Sequence, residues 1–229
     1  MKIKILVIFF LALILSFIIY NVTLNNRKSI LVLGDNHLLD SNYKTYDKYL
    51  YDDLKNDIVF FNELFTDENK TYKDIINDIK NNKYVISKNK NIYLNQLISK
   101  ANIIILNANN SEYFKKCNKS KSIVEEYNKK ISNDIDSLIR IINKISTSKI
   151  VVIGNYCLNG EDYSSYYSKY NYINMNKLVS NNENISSFRT FKLSNEGNFA
   201  LYGHIKSLVY VNWQPNILML EYEIHWQRI

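Results

Sequence analysis

The chain has 229 residues, 29 Lys and Arg against 22 Asp and Glu, a formal charge of +7, one proline and five glycines. That balance excludes a disordered or collagen-like chain, and lysines mixed throughout with acids leave no compact basic patch interleaved with aromatics of the kind a nucleic-acid reader needs. The excess of Asn, Lys, Ile and Tyr reads as coding bias in an AT-rich genome, because apolar periodicity persists along the whole chain.

The first element is hydrophobic. Apart from Lys4, the run from Ile3 to Tyr20 carries only Ser16 and Tyr20 as polar groups, and Val22 and Leu24 extend it. About 20 apolar residues cross a bilayer's hydrocarbon core. A cleaved leader would end in a small-residue pair. None is present here, so the favoured reading is a retained transmembrane signal anchor over residues 1–24, with a stem at 25–28. Positive charge flanks both sides, Lys2 and Lys4 before and Arg27 and Lys28 after, so the positive-inside bias is weak. A short N-terminal anchor exports the polypeptide C-terminal to it, which places the bulk of the chain outside the cytoplasm.

Beyond the stem, Ser29 to Gly34, Asp57 to Phe61, Asn102 to Leu106 and Lys149 to Gly154 are short, continuous, β-branched apolar runs. Such runs are the mark of parallel strands covered on both faces. Ile185 to Phe191 is a weaker fifth strand candidate. Between them Tyr72 to Lys80, Ile92 to Ala101, Ser120 to Ile145 and Asn195 to Val209 place apolar residues at three- and four-residue spacing, which predicts helices. The Tyr-rich segment Tyr163 to Tyr172 reads as an amphipathic helix on the sheet, in preference to a platform that stacks on sugar rings. Alternation of strand and helix predicts an α/β three-layer sandwich with a doubly wound, mostly parallel sheet over 29–209. Residues 210–229, holding both tryptophans and the only proline, are a C-terminal extension. Ligands of such sheets sit beyond the carboxyl ends of the strands, so the residues after Leu33, Leu106 and Ile153 are the ones to inspect. Cys117 and Cys157 are the only cysteines. They form one disulfide or stay as two buried thiols.

Three segments at those strand ends carry a resemblance: Gly34-Asp35-Asn36-His37-Leu38, Asn107-Ala108-Asn109-Asn110, and Lys192-Leu193-Ser194-Asn195-Glu196-Gly197-Asn198. In order and spacing the chain resembles the SGNH/GDSL hydrolase family, whose blocks read G-D-S after strand one, G-x-N-D after strand three and D-x-x-H before the last helix. The resemblance implies ester or acyl hydrolysis by a Ser nucleophile with a His base and an Asp. It implies an oxyanion hole built from the Ser N–H, a Gly N–H and an Asn side chain. Residue by residue the positions that match the family site are Asp35, Asn36, Asn109 and Lys192. Asn36 replaces the nucleophile, Asn107 and Asn110 replace the Gly and Asp of the third block, and Arg189 and Lys192 replace the Asp and His. No Gly lies between Gly34 and Gly154 for the second block. A carboxamide cannot act as an alkoxide. Ser41, His37 and His204 are the remaining groups that could supply a nucleophile or base, and the plainer reading of each histidine is surface or helix packing.

The expectation is therefore a membrane-anchored SGNH-like domain without hydrolase activity, a binding or structural module, against the alternative of an extracytoplasmic esterase with a rearranged site. No cofactor is expected, and three scattered histidines do not make a metal site. The expected partners are the membrane and a cell-envelope carbohydrate or acylated polymer.

Overall fold

The computed structural model describes residues 12–16, 28–36, 38, 43–54, 58–117, 119–156, 163–180, 184–187 and 192–210. Strand β1 (Lys28–Asp35) is followed by α1 (Tyr46–Leu54), β2 (Ile58–Asp67), α2 (Tyr72–Lys80), β3 (Tyr84–Ser87), β4 (Lys90–Tyr93), α3 (Leu94–Lys100) and β5 (Ile103–Asn107). Then come α4 (Asn110–Cys117), α5 (Lys121–Ile142), β6 (Lys149–Ile153), a 3-10 turn (Ser164–Tyr167), β7 (Asn171–Ile173), α6 (Met175–Val179), β8 (Ile185–Ser187), β9 (Lys192–Leu193) and α7 (Asn195–Tyr210). The main sheet has the order β2-β1-β5-β6-β7, and every pairing in it is parallel.

Each strand's alternation feeds two cores, so the sheet is the middle of three layers. Leu31, Leu33, Ile104, Leu106, Ile150 and Val152 face α2, α3 and α5. Ile30, Val32, Ile103, Ile105, Val151 and Ile153 face α1, α6 and α7. Burial on both sides is why these strands read as unbroken apolar runs. α2 starts with a capping box in which Thr71 and Asp74 satisfy each other's backbone N–H, and it buries Ile75, Ile76 and Ile79 at helical spacing.

Some expectations are corrected. The fifth sheet strand is Asn171–Ile173, not 185–191; Ile185–Ser187 pairs antiparallel with Lys192–Leu193 instead. The Tyr-rich segment is a single 3-10 turn leading into β7, because Tyr167 stacks on Tyr172 across that turn with ring centroids 4.9 Å apart. Ile92 belongs to β4, half of a hairpin, and the helix begins at Leu94. Cys117 is buried and disulfide-bonded; Cys157 lies outside the described residues. So do most of residues 1–24 and all of 211–229. Residues 12–16 are helical, and among the described residues no helix is long and apolar enough to cross a membrane.

Candidate functional site

Because β1, β5 and β6 run parallel, their carboxyl ends gather Gly34-Asp35-Asn36, Asn107 to Asn110 and Asn155 at one edge of the sheet. Gly34 makes the approach of β1 to β5 close enough. Its φ is +130°, and a Cβ there would lie 1.9 Å from the Asn107 carbonyl oxygen, so no other residue fits.

Across this edge runs a chain of carboxamides. Asn155 Nδ2 donates to Asn110 Oδ1 (2.9 Å) and to the Ala108 carbonyl (2.9 Å). Asn110 Nδ2 donates to Asn107 Oδ1 (2.6 Å), and Asn107 Nδ2 to the Asp35 carbonyl (3.2 Å). All four side chains are buried, Asp35 to 1 % exposure. The Asp35 carboxylate accepts from the Ser111 N–H (3.4 Å) at the start of α4, where the helix dipole favours an anion.

Asn109 faces a different way. Its φ is +67°, a conformation Asn tolerates better than most residues. Its Oδ1 accepts from the Tyr72 N–H (2.9 Å) at the first turn of α2. Its Nδ2 donates to Tyr127 Oη (3.1 Å) and Glu112 Oε2 (3.3 Å), while the Tyr127 hydroxyl donates to Glu112 (2.5 Å). Burial, and then Glu112, push the Tyr127 phenol well above its ordinary range. Asn109 thus ties β5 to α2 and α5, and both its amide protons are used.

Asn36, which the family resemblance matches to the nucleophile, is half-buried, and its backbone N–H donates to the Asp67 carbonyl (3.2 Å). This bond extends the β1–β2 ladder past the Asp35–Asp67 pair. The amide that the family resemblance assigns to the oxyanion hole is spent on strand pairing. In the β2–α2 turn, Asn69 holds a left-handed conformation with φ +63°, a role glycine usually fills.

In the last block, Lys192 is half-buried on β9 opposite Ser187. Ser194 Oγ caps α7 by accepting from the Gly197 N–H (3.1 Å). Gly197 has no room for a side chain, since a Cβ would lie 2.1 Å from the Asn184 carbonyl oxygen. Asn198 is fully buried and its Oδ1 accepts from the Tyr46 N–H (3.2 Å), as Asn195 Oδ1 does from Lys44 (3.3 Å). The last block is thereby fastened to the start of α1, the helix that comes after the first block. His204 stands further along α7, where partial burial and then Lys177 lower its pKa. His37, Ser41 and Arg189 lie outside the described residues. Among the described residues no three His, Cys, Asp or Glu side chains cluster as metal ligands. Sequence reasoning missed Asn155, which fell in the region marked by topology after Ile153 but carried no family signature.

A second polar cluster lies beyond the site, between α1 and the edge strand β2. Leu31 pairs with Asn62 and Leu33 with Phe65, so Glu63 and Leu64 both oppose Val32 in a bulge, a device that re-aims side chains. Glu63 lies beside Asp47 of α1, whose carboxylate charge acts on it. Burial first, and then Asp47, raise the Glu63 pKa to about 7. Among the described residues Asp47 Oδ1, Glu63 Oε1, Tyr46 Oη and Thr45 Oγ1 are buried without a hydrogen-bond partner.

Solved structures share this architecture. The lipase Lip_vut3 from a goat-rumen metagenome superposes with a TM-score of 0.59 at 12% identity, over 79% of this chain and 96% of that one. A member of the lipolytic G-D-S-L family from Veillonella parvula DSM 2008 gives 0.51 at 10% identity, over 79% and 97%. No protein-family model and no curated protein matches the sequence. The chain has an SGNH/GDSL hydrolase-like fold.

Proposed function

We propose that the chain is a membrane-anchored, extracytoplasmic SGNH-hydrolase-like domain that binds or scaffolds without hydrolysing esters. The observation that carries this reading is the occupied oxyanion machinery: the Asn36 N–H is bonded to Asp67 and both Asn109 amide protons are bonded elsewhere. A carboxamide at the position matching the nucleophile cannot attack as an alkoxide, and among the described residues these N–H groups are already bonded. The apolar run Ile3 to Tyr20 supports the anchor. The disulfide at Cys117 supports an oxidising compartment.

The purified chain is expected to leave p-nitrophenyl acetate uncleaved and to take no fluorophosphonate label. A covalent adduct mapped to any serine would overturn the reading. Alkaline carbonate is expected to leave the chain in the membrane pellet, and release into the supernatant would remove the anchor from it.

A further inference from the structure

The β3–β4 hairpin is the part of the domain that the site does not use. It turns through Lys88 (φ +49°) and Asn89 (φ +60°), two successive left-handed residues as a tight two-residue hairpin requires. Cross-strand pairs share a face. Val85 and Ile92 form one pair, and Val85 packs on the core. The other face carries Tyr84 with Tyr93, ring centroids 5.5 Å apart, and Ile86 with Asn91. Ile86 is 71% and Tyr84 50% exposed.

Along the sequence, the charge of this segment is of one sign. Between Asp78 and Glu112 the chain has Lys80, Lys83, Lys88, Lys90 and Lys100 and no acidic residue; of these Lys83 is paired with Asp78 at 3.3 Å. The hairpin also lies toward the edge opposite the candidate site. α2 leaves the site edge at Tyr72 and runs back over nine residues, and α3 delivers the chain to the start of β1, where Ser29 Oγ donates to the Lys100 carbonyl (2.5 Å). The apolar N-terminal run ends at Leu24, four residues before β1, so at most roughly 14 Å of chain separates them.

From this juxtaposition we infer that the Tyr84–Ile86–Tyr93 face of the β3–β4 hairpin docks on the anionic headgroup surface of the bilayer that holds the N-terminal segment. The inference rests on the anchored reading above. Tyrosine rings suit the headgroup layer, an isolated exposed isoleucine enters it at small cost, and the lysines meet its negative potential. Docking there points the carboxyl edge of the sheet away from the membrane.

The test uses the full chain in vesicles, with Ile86→Cys carrying an NBD fluorophore, Ser137→Cys on the exposed face of α5 as reference, and the unsubstituted chain as labelling blank. In phosphatidylglycerol vesicles the label at 86 is expected to shift to the blue and to be quenched by headgroup spin labels, while the label at 137 is not. In phosphatidylcholine the shift is expected to disappear. Lys88→Gln and Lys90→Gln are each expected to lower the docking equilibrium about fivefold. A label at 86 as wet as the one at 137 in anionic vesicles overturns the inference, as does an equal shift in neutral lipid or one produced by an acidic polysaccharide without vesicles. If carbonate releases the chain, the anchored reading fails separately, and the same label on chain added to preformed vesicles still scores the surface.

Discussion

Two polar clusters lie at the margins of the same sheet and are built on opposite terms. At the carboxyl edge, Asn155, Asn110, Asn107 and Asp35 form a line in which neutral amides answer one another. At the flank, Asp47 and Glu63 lie side by side, and among the described residues the hydroxyls of Thr45 and Tyr46 there have no hydrogen-bond partner. The carboxyl edge is held mainly by carboxamides, and the group whose pKa is raised, Glu63, lies at the flank. Buried polar groups that satisfy each other hold such an edge together as architecture.

The largest effect is expected where the edge depends on geometry alone. Gly34→Ala must relieve a 1.9 Å overlap with the Asn107 carbonyl at φ +130°, and should cost about 3 kcal/mol or more in urea unfolding. Loss of less than about 1 kcal/mol would mean that β1 and β5 part easily. Cys117→Ser should cost about 2–4 kcal/mol by the same measurement, with wild type under reductant falling to match it. Asn110→Ala removes one of the two bonds of the Asn155 amide and the donor to Asn107 Oδ1 inside the edge, and should cost about 1–3 kcal/mol. A neutral outcome would show that the carboxamide line is decorative.

The flank gives the smallest effect and the only one of these predicted to depend on pH. The Glu63 pKa rises from 4.5 to about 7 on folding, so the folded state holds the proton more tightly. Its contribution is whole below pH 4.5, declines as pH rises toward 7, and is flat above that. The midpoint of thermal unfolding should fall across this window in wild type and fall less in Glu63→Gln, which keeps a donor at all pH values. Parallel curves for the two proteins would remove the pair from the comparison.

Much of this was legible in the residues, and the legible parts share a cause. β1, β5 and β6 are buried on both faces, so their apolar runs could be nothing but core strands, and α2 and α5 bury one stripe at helical spacing. Gly34-Asp35 and Asn107 stand at the carboxyl ends of β1 and β5, where the strand pattern put them. What stayed hidden was held by few residues. β7 has three, Asn171, Tyr172 and Ile173, too few to show a period. The β3–β4 hairpin turns on Lys88-Asn89 instead of a glycine pair, so its turn was silent. The orientation of Asn109 was out of reach as well, since the partners that redirect it, Tyr72 and Tyr127, are set only by the packing of α2 and α5.

The bonds from Asn195 and Asn198 to Lys44 and Tyr46 join residues about 150 positions apart. Together with the pairing of β1 to β5 across 73 positions, they give the domain an assembly order. β1 waits for β5 before it gains its inner neighbour, and α1 waits for the last helix before its first turn is closed. Contacts this distant in sequence slow folding. A chain cut short before Asn198 would therefore reach its sheet and its first core, and would leave α1 without the clasp that completes the second.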